Sequence, residues 1–341
     1  MKPLSPKTLE KKYAELGLPR ETTDLLHVYF RCFAHLYGVI SVRDAWDVFR
    51  NYEGLRLLHK KDFVAFSGIA QREAGHPYAV LELKEVYTGE TTEDPAERLI
   101  ADNRLIRSGY GKYTLLYNTV ERQGNRPYYL PDDRASFLAH AEDRFFQTPD
   151  GREMVRFLGN LKTGGFFRDF DGVPRGVILG LDGRPVERKR LSDITFYTRI
   201  ERFDIDYYKD EAKKEKLRRE YATTALEKIL KLVFIEIQTG GYRLHGITTE
   251  SMQFVTDYMT EELGVEFTEA RLVSFLRLYA DLNNHSNLWM NCGWRPDEMP
   301  RGRPGVVSIG PGLQKMFEEK KLDRTEFERR LGELGLRVTD D

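Results

Sequence analysis

Cysteine is scarce in this chain of 341 residues, which contains only Cys32 and Cys292. Two cysteines cannot form a disulfide framework or a cysteine-rich zinc site. No apolar run approaches the roughly 20 residues that cross a bilayer, and residues 1–7 lack the apolar core of a signal peptide. We therefore expect a protein of the reducing cytoplasm that has no membrane partner.

An excess of charge of either sign is also missing. The chain has 53 Lys and Arg residues against 54 Asp and Glu residues, which leaves a net charge of −1. This balance excludes a globally basic nucleic-acid binder, although local basic patches remain possible. Hydrophobic content of 40% with 31% charged residues is ordinary for a globular protein, and the length fits two or three domains.

The N-terminal part has helices interrupted by short extended segments. Apolar spacing predicts helices at about residues 22–37, after Ser41, and at about residues 60–74, with extended segments at Val39–Ile40 and residues 78–87. Gly38 is a natural stop for the first helix, and Ser41 a natural cap for the second. This order is typical of a winged helix, which is a helix-turn-helix variant.

We predict a mainly α fold with minor β (α+β) in three parts. Residues 1–130 are a winged-helix-like domain, in which residues 94–123 are helical again. Residues 131–205 are a glycine-rich connector, with a helix at 132–148, a turn at Thr148–Gly151 and short strands. Residues 206–341 are a helical domain, with helices at about 206–238, 249–263, 268–288 and 311–336.

The third predicted helix is the candidate recognition helix for duplex DNA. Its polar side chains would face phosphates and bases, and they are Lys60, Lys61, Ser67, Gln71 and Arg72, with Arg56 and His59 at the entrance. Asp62 and Glu73 weaken the positive field. Winged helices also bind proteins, so a protein partner is the alternative at this surface.

A second basic cluster lies near the glycine-rich segment. It consists of Arg175, Arg184, Arg188, Lys189 and Arg190. Aromatic residues surround it in the sequence, as in proteins that bind single strands, namely Phe166, Phe167, Phe170, Phe196 and Tyr197. Asp171, Asp182 and Glu187 weaken this interpretation and favour a solvated loop.

Residues 281–299 concentrate asparagine, histidine and tryptophan at the end of an apolar helix. Asp281 and His285 stand one helical turn apart, which would suit an acid/base or metal pair, but no third ligand lies nearby. We favour a structural interpretation, in which the polar side chains satisfy backbone groups where the helix ends, the tryptophans seal it and a short helix follows at the proline. The residues of this structural motif are Asn283, Asn284, His285, Asn287, Trp289, Trp294 and Pro296.

The same segment resembles a family of uncharacterised bacterial helical proteins, some relatives of which carry a zinc tail of the SEC-C type. The matching residues are Asn283, Asn284, Leu288, Trp289, Gly293, Trp294, Pro296, Glu298 and Met299, together with residues 36–41 near the N-terminus. With only Cys32 and Cys292, this chain cannot build the zinc tail. The resemblance therefore implies a helical architecture and no metal.

Signals for catalysis are few. Residues 109–112 lack the spacing of a phosphate-binding loop, and Asp169-Phe-Asp-Gly172 lacks the later glutamate of a calcium loop. We expect a binding protein without a cofactor or metal, acting on duplex DNA or a protein through the winged-helix-like domain. A protein-only adaptor or inhibitor that acts through the helical half is the first alternative. A hydrolase or nuclease based on Asp281 with His285, or on Asp169 with Asp171, is the second.

Overall fold

The computed structural model describes residues 3–54, 57–89, 91–106, 111–168, 174–240, 243–244, 247–248, 251–298, 305–308, 317–318, 323–333 and 336–339. The chain forms two compact units, of which unit 1 comprises residues 1–144 and 286–298 and unit 2 comprises residues 145–285 and 299–341. Helices dominate both units and the sheets are small, which confirms the predicted mainly α fold with minor β.

Unit 1 follows the predicted order of elements through residue 81. Its helices are α1 (Pro6–Leu16), α2 (Arg20–Tyr37), α3 (Val42–Glu53), α4 (Lys60–Ala70), α5 (Leu83–Val86), α6 (Thr114–Gln123) and α7 (Arg134–Leu138). Its strands are β1 (Val39–Ser41), β2 (Tyr78–Leu81) and β3 (Leu99–Asp102). Ser41 caps α3 as predicted, because its Oγ accepts a hydrogen bond from the Asp44 amide at 3.0 Å.

The three strands of unit 1 form an antiparallel sheet in the order β1-β3-β2. Ile100 of β3 lies opposite both Ile40 and Val80. The prediction of a helix throughout residues 94–123 is therefore wrong at β3. All four residues of β3 are buried, and a short continuous apolar run does not reveal its type by periodicity.

Aromatic side chains fill the core of unit 1. Phe30, Phe33 and Phe63 are fully buried between α2 and α4, and the Phe30 ring centroid lies 5.1 Å from that of Phe66 in an edge-on arrangement. Cys32 belongs to the same core as a free thiol, as its apolar context predicted. This core holds α2 and α4 in place beneath the polar groups described below.

Unit 2 is built mainly from helices. They are α8 (Pro149–Gly159), α9 (Arg199–Tyr207), α10 (Glu211–Tyr221), α11 (Ala225–Thr239), α12 (Ser251–Asp257), α13 (Glu269–Asn284) and α14 (Arg324–Glu333). Short strands pair as β4 (Phe166–Arg168) with β5 (Pro174–Val177), β6 (Arg243–Leu244) with β7 (Ile247–Thr248), and β8 (Gly305–Ser308) with β9 (Leu336–Thr339). Ile229, Val233 and Phe275 are fully buried in its core.

Helix boundaries in unit 2 bear on two of the predictions. Thr148 begins α8 instead of a turn, since its Oγ1 accepts a hydrogen bond from the Gly151 amide at 3.1 Å and Pro149 occupies the first helical position. The segment at residues 206–238, predicted as one long or broken helix, is broken: α9 ends at Tyr207, α10 ends at Tyr221 and α11 follows from Ala225. Among the described residues, no helix combines the length and the apolar character needed to cross a membrane.

Candidate functional site

Five polar side chains from four parts of unit 1 meet at one place, which we call the His27 cluster. Tyr13 comes from α1, His27 from α2, and Tyr78 from the start of β2. Glu73 and His76 lie in the turn that follows α4. Asn103 Nδ2 donates to the His76 carbonyl at 2.7 Å, which ties this turn to the end of β3.

Neighbouring functional atoms of the His27 cluster lie 2.5–3.5 Å apart. Glu73 Oε2 accepts a hydrogen bond from the Tyr13 hydroxyl at 2.5 Å and lies 3.5 Å from His27 Nε2. Glu73 Oε1 lies 3.3 Å from His76 Nε2. The potential ligand atoms of His27, Glu73 and His76 all lie within 4.8 Å of one another, so these three residues are the ones that can hold a metal ion in the described part of the chain.

Burial controls the protonation of the cluster. Burial, and next the nearby His76, lower the pKa of His27 to about 4, so its imidazole is neutral at neutral pH. Burial and the neighbouring Glu73 raise the pKa of the Tyr13 hydroxyl well above its usual range. His27 Nδ1 and the Tyr78 hydroxyl form a hydrogen bond of 2.6 Å. His76 Nε2 is buried and makes no hydrogen bond with any described residue.

Sequence reasoning missed the His27 cluster. His27 and Tyr78 are 51 positions apart, and only the packing of α2 against the turn after α4 and β2 brings them together. The available signal in the sequence was the presence of two potential metal ligands, Glu73 and His76, in the short connection between α4 and β2. That pattern is common in loops and carries little specificity.

The predicted recognition helix has one basic end. Lys60 and Lys61 at the start of α4 are exposed. Ser67 is fully buried, so the prediction that it faces a ligand is wrong: its Oγ donates to the Val64 carbonyl at 2.7 Å on the core side of the helix. Gln71 and Arg72 are half-buried, and Arg72 Nε is enclosed without a hydrogen bond among the described residues. Arg56 lies outside the described residues.

The connection between β2 and β3, residues 82–98, is acidic. Its charged residues are Glu82, Glu85, Glu90, Glu93, Asp94 and Glu97 against Lys84 and Arg98. Arg98 Nε pairs with Glu82 at 2.7 Å, and Arg43 of α3 pairs with Asp94 at 3.2 Å. In the position of a wing, this segment would repel nucleic-acid phosphates.

The second basic cluster, in unit 2, is exposed but partly neutralised. Arg184, Arg188, Lys189 and Arg190 all lie on the surface. Arg184 lies 3.8 Å from Asp182, and Arg188 lies 3.7 Å from Glu266. Phe196 is buried, so it cannot serve as a stacking surface for a base, contrary to the prediction. Phe170, Asp169 and Asp171 lie outside the described residues.

At the end of α13, His285 is paired with a residue other than Asp281, the partner in the acid/base alternative. The His285 imidazole is exposed, and its Nδ1 lies 2.9 Å from Asp150 at the start of α8. Asn283 and Asn284 contact each other at 3.4 Å at the surface. The expectation that these three side chains satisfy backbone groups is therefore wrong.

The following residues, Ser286–Glu298, behave as the structural interpretation predicts. The Asn287 amide donates to the Gly293 carbonyl at 2.6 Å. Trp289 is fully buried and donates from Nε1 to the His35 carbonyl of α2 at 2.8 Å. Trp294 Nε1 donates to the Pro127 carbonyl at 3.0 Å, and Pro296 begins a short helix. This part of the motif is an anchor within unit 1.

Among the large hydrophobic side chains of the described residues, the most exposed lie on α9. Phe203 and Tyr207 are each 70% exposed and Ile200 is 55% exposed. Their spacing of three and four residues places them on one face of the helix, and we call this set the α9 stripe. No pattern in the sequence distinguished it, because an amphipathic helix normally buries its apolar face.

Other side chains of α9 hold the helix within unit 2. Glu201 caps the helix by accepting from the Thr198 amide at 2.8 Å, and it pairs with the buried Lys228 of α11 at 2.7 Å. Arg199 pairs with Glu262 at 2.7 Å. Burial lowers the pKa of Lys228, whereas Glu201 opposes that change. The α9 stripe is therefore presented by a helix whose position is fixed.

Comparison of the chain with protein-family models, with curated proteins and with solved structures found no match.

Proposed function

We propose that this chain is a non-catalytic binding protein and that the α9 stripe inserts into an apolar groove of a protein partner. The observation that carries the proposal is the exposure of Phe203 and Tyr207, each 70%, beside Ile200 on the same face. Large exposed apolar groups that lie together mark interaction surfaces. Spacing at i, i+3 and i+7 is that of a helix that binds in a groove.

The anchoring of α9 supports this proposal. A surface that is ordered before binding loses less conformational entropy when the partner arrives. The ion pairs of Glu201 with Lys228 and of Arg199 with Glu262 provide that order. Aromatic residues at the centre of an interface commonly contribute about 2 kcal/mol or more each. Loss of both aromatic rings, about 4 kcal/mol, should therefore weaken binding by roughly 1,000-fold.

The molar mass of the chain in extracts of its native host tests the proposal. Wild type should elute from a sizing column in a complex heavier than the 39.8 kDa of one chain. The double variant Phe203→Ser/Tyr207→Ser should elute as a single chain. The control Lys213→Ser/Lys216→Ser on the neighbouring α10 should behave as wild type. Elution of wild type as a single chain, or of both double variants in the complex, would contradict the proposal.

Duplex DNA binding by unit 1 is the second candidate function. It is supported by the sheet order β1-β3-β2 around α2, α3 and α4, which is the order expected of a winged helix, and by the exposed Lys60 and Lys61. The acidic connection between β2 and β3 opposes it, and this is why we place the protein partner first.

Fluorescence anisotropy with a random duplex at low salt tests the second candidate. Binding through α4 predicts that Lys60→Glu/Lys61→Glu abolishes the affinity, and that the control Lys7→Glu/Lys11→Glu on α1 does not. Two phosphate contacts contribute about 2 to the slope of log affinity against log salt. Absence of binding by wild type, or equal loss in both variants, would reject DNA as the ligand of α4.

A further inference from the structure

Two imidazoles and one carboxylate face one another in the His27 cluster, and this set of donors has a defined preference among ions. Imidazole nitrogen suits zinc and its neighbours in the transition series, whereas magnesium and calcium require mostly oxygen ligands. Two histidines with one glutamate form a known three-ligand zinc arrangement that leaves a fourth position open. We propose that the His27 cluster binds one divalent ion of the zinc class through His27, Glu73 and His76.

The distances fit the geometry of such a site. Ligands that lie about 2.0–2.1 Å from a tetrahedral zinc ion are separated from one another by roughly 3.3 Å. Glu73 Oε1 lies 3.3 Å from His76 Nε2, and Glu73 Oε2 lies 3.5 Å from His27 Nε2. Each histidine nitrogen therefore already lies near this spacing from one oxygen of Glu73, and the ligand atoms of all three residues lie within 4.8 Å of one another.

The histidine rings need one adjustment. The His27 and His76 rings stack with centroids 4.5 Å apart and planes 15° from parallel. Each nitrogen lone pair lies in the plane of its ring, and two stacked planes do not meet at one ion, so one imidazole rotates about its side-chain bond when the ion binds. This small change distinguishes the proposal from a preformed rigid site and lowers the expected affinity.

The surrounding hydroxyl groups suit an ion at this position. With Nε2 of His27 on the ion, Nδ1 carries the proton and donates it to the Tyr78 oxygen, 2.6 Å away. Metal-binding histidines almost always have such a partner at the second ring nitrogen. The Tyr13 hydroxyl donates to Glu73 Oε2 at 2.5 Å and lies 3.2 Å from His27 Nε2, so it lies beside two of the proposed ligand atoms.

A further observation concerns His76 Nε2, which lies 3.3 Å from Glu73 Oε1 but is not hydrogen-bonded to it. This atom is buried and forms no hydrogen bond with any described residue. A buried polar atom without a partner destabilises the fold unless something satisfies it. A metal ion bound at Nε2 removes this defect and links α2 to the turn after α4.

Titration of the chelator-treated full chain with Co²⁺ and Zn²⁺ tests the proposal. Co²⁺ should produce the visible absorption of a low-symmetry nitrogen and oxygen site at one ion per chain, and Zn²⁺ should displace it. Excess Zn²⁺ should raise the thermal midpoint of unit 1 by about 5 °C or more, because the ion binds the folded state alone. Mg²⁺ should do neither.

Matched variants locate the ion. His76→Gln and Glu73→Gln should lose the Co²⁺ absorption and the Zn²⁺ effect on the midpoint. The controls His59→Gln and Glu10→Gln, which change exposed residues elsewhere in unit 1, should keep both. Tyr78→Phe should weaken binding by roughly 10- to 100-fold, since it removes the partner of the ligand's second nitrogen. If a ligand variant fails to fold, the affinity of Tyr78→Phe and the stoichiometry of wild type still test whether the His27 cluster binds the ion.

Three results would overturn the proposal. These are the absence of Co²⁺ absorption in wild type, an unchanged titration in folded His76→Gln or Glu73→Gln, and equal affinities of wild type and Tyr78→Phe. The second would place any bound ion elsewhere in the chain.

Discussion

Replacement of Gly38 by alanine tests how residues 286–298 are held in unit 1. Gly38 follows α2 with φ of +71°, and an added Cβ would lie 2.5 Å from two ring carbons of Trp289. The positive φ costs an L-residue about 1–2 kcal/mol. Trp289 is fully buried and its Nε1 is bonded to the His35 carbonyl, so the ring cannot move aside cheaply, and overpacking adds about 1–3 kcal/mol. We expect Gly38→Ala to lower the free energy of unfolding by about 2–5 kcal/mol.

Gly17→Ala is the control for a positive φ without a packed neighbour, although Gly17 has ψ of 12° and Gly38 has ψ of −50°. Gly17 also has φ of +71°, but no atom of the described residues lies within 4 Å of its added Cβ. Gly17→Ala should therefore lower the free energy of unfolding only by the cost of a positive φ, about 1–2 kcal/mol. In a Trp289→Ala background, the packing part of the Gly38→Ala cost should disappear, because the ring that the added Cβ meets is gone.

Denaturant unfolding followed by tryptophan fluorescence measures these costs. All three tryptophans, at positions 46, 289 and 294, lie in unit 1, so the signal reports on that unit alone. If Gly38→Ala and Gly17→Ala differ by less than about 0.5 kcal/mol, the packing of Trp289 against the end of α2 is not as described.

Two further predictions concern buried charge and pH. Lys228→Met should destabilise unit 2 by about 3–5 kcal/mol in circular dichroism melts, since it leaves the Glu201 carboxylate without its cation, whereas Lys231→Met on the exposed face of α11 should change little. Burial, and next His35, lower the pKa of His140 to about 4, below the 6.5 of the unfolded chain. The neutral His140 therefore makes its full contribution to the free energy of unfolding above pH 6.5. This contribution is lost as the pH falls toward 4, and the loss is about 2 kcal/mol at pH 5. His140→Gln should remove this loss when unfolding is followed by fluorescence at pH 7 and pH 5. The same decrease in unfolding free energy between these pH values in the variant and in wild type would contradict the assignment.

Local signals in the sequence predicted much of the fold. Gly38 as a helix stop, Ser41 as a cap and the short strand between them depend on neighbouring residues only, and the structure confirms all three. The start of α8 was missed for a local reason as well. Thr148 followed by Pro149 is typical both of a turn and of a capped helix, and the sequence alone did not separate the two.

Features that depend on distant residues were not predictable from the sequence. Residues 99–102 form strand β3 because their backbone pairs with β1 on one side and with β2 on the other. Asp150 is the partner of His285 because α8 packs beside α13, and the sequence offered only Asp281, one helical turn away, as a candidate partner. Ser67 was expected to face a ligand because it is polar, but it is buried and its hydroxyl bonds to its own helix.

The candidate sites show the same limit. The His27 cluster joins residues from four separate parts of the chain. The α9 stripe became visible only when the structure showed that Phe203 and Tyr207 remain exposed. Side-chain type alone would have placed both of them in the core.

The most direct test of partner binding is site-specific photo-crosslinking in the native host, with a photoreactive phenylalanine at Phe203 and, as control, at Lys213 on α10. A protein partner in contact with the α9 stripe predicts a discrete crosslinked species heavier than one chain from position 203 and none from position 213. A species of twice the chain mass would identify the partner as a second copy, and any other mass a different protein. Absence of a crosslink at position 203, or equal crosslinking at both positions, would contradict the proposed function.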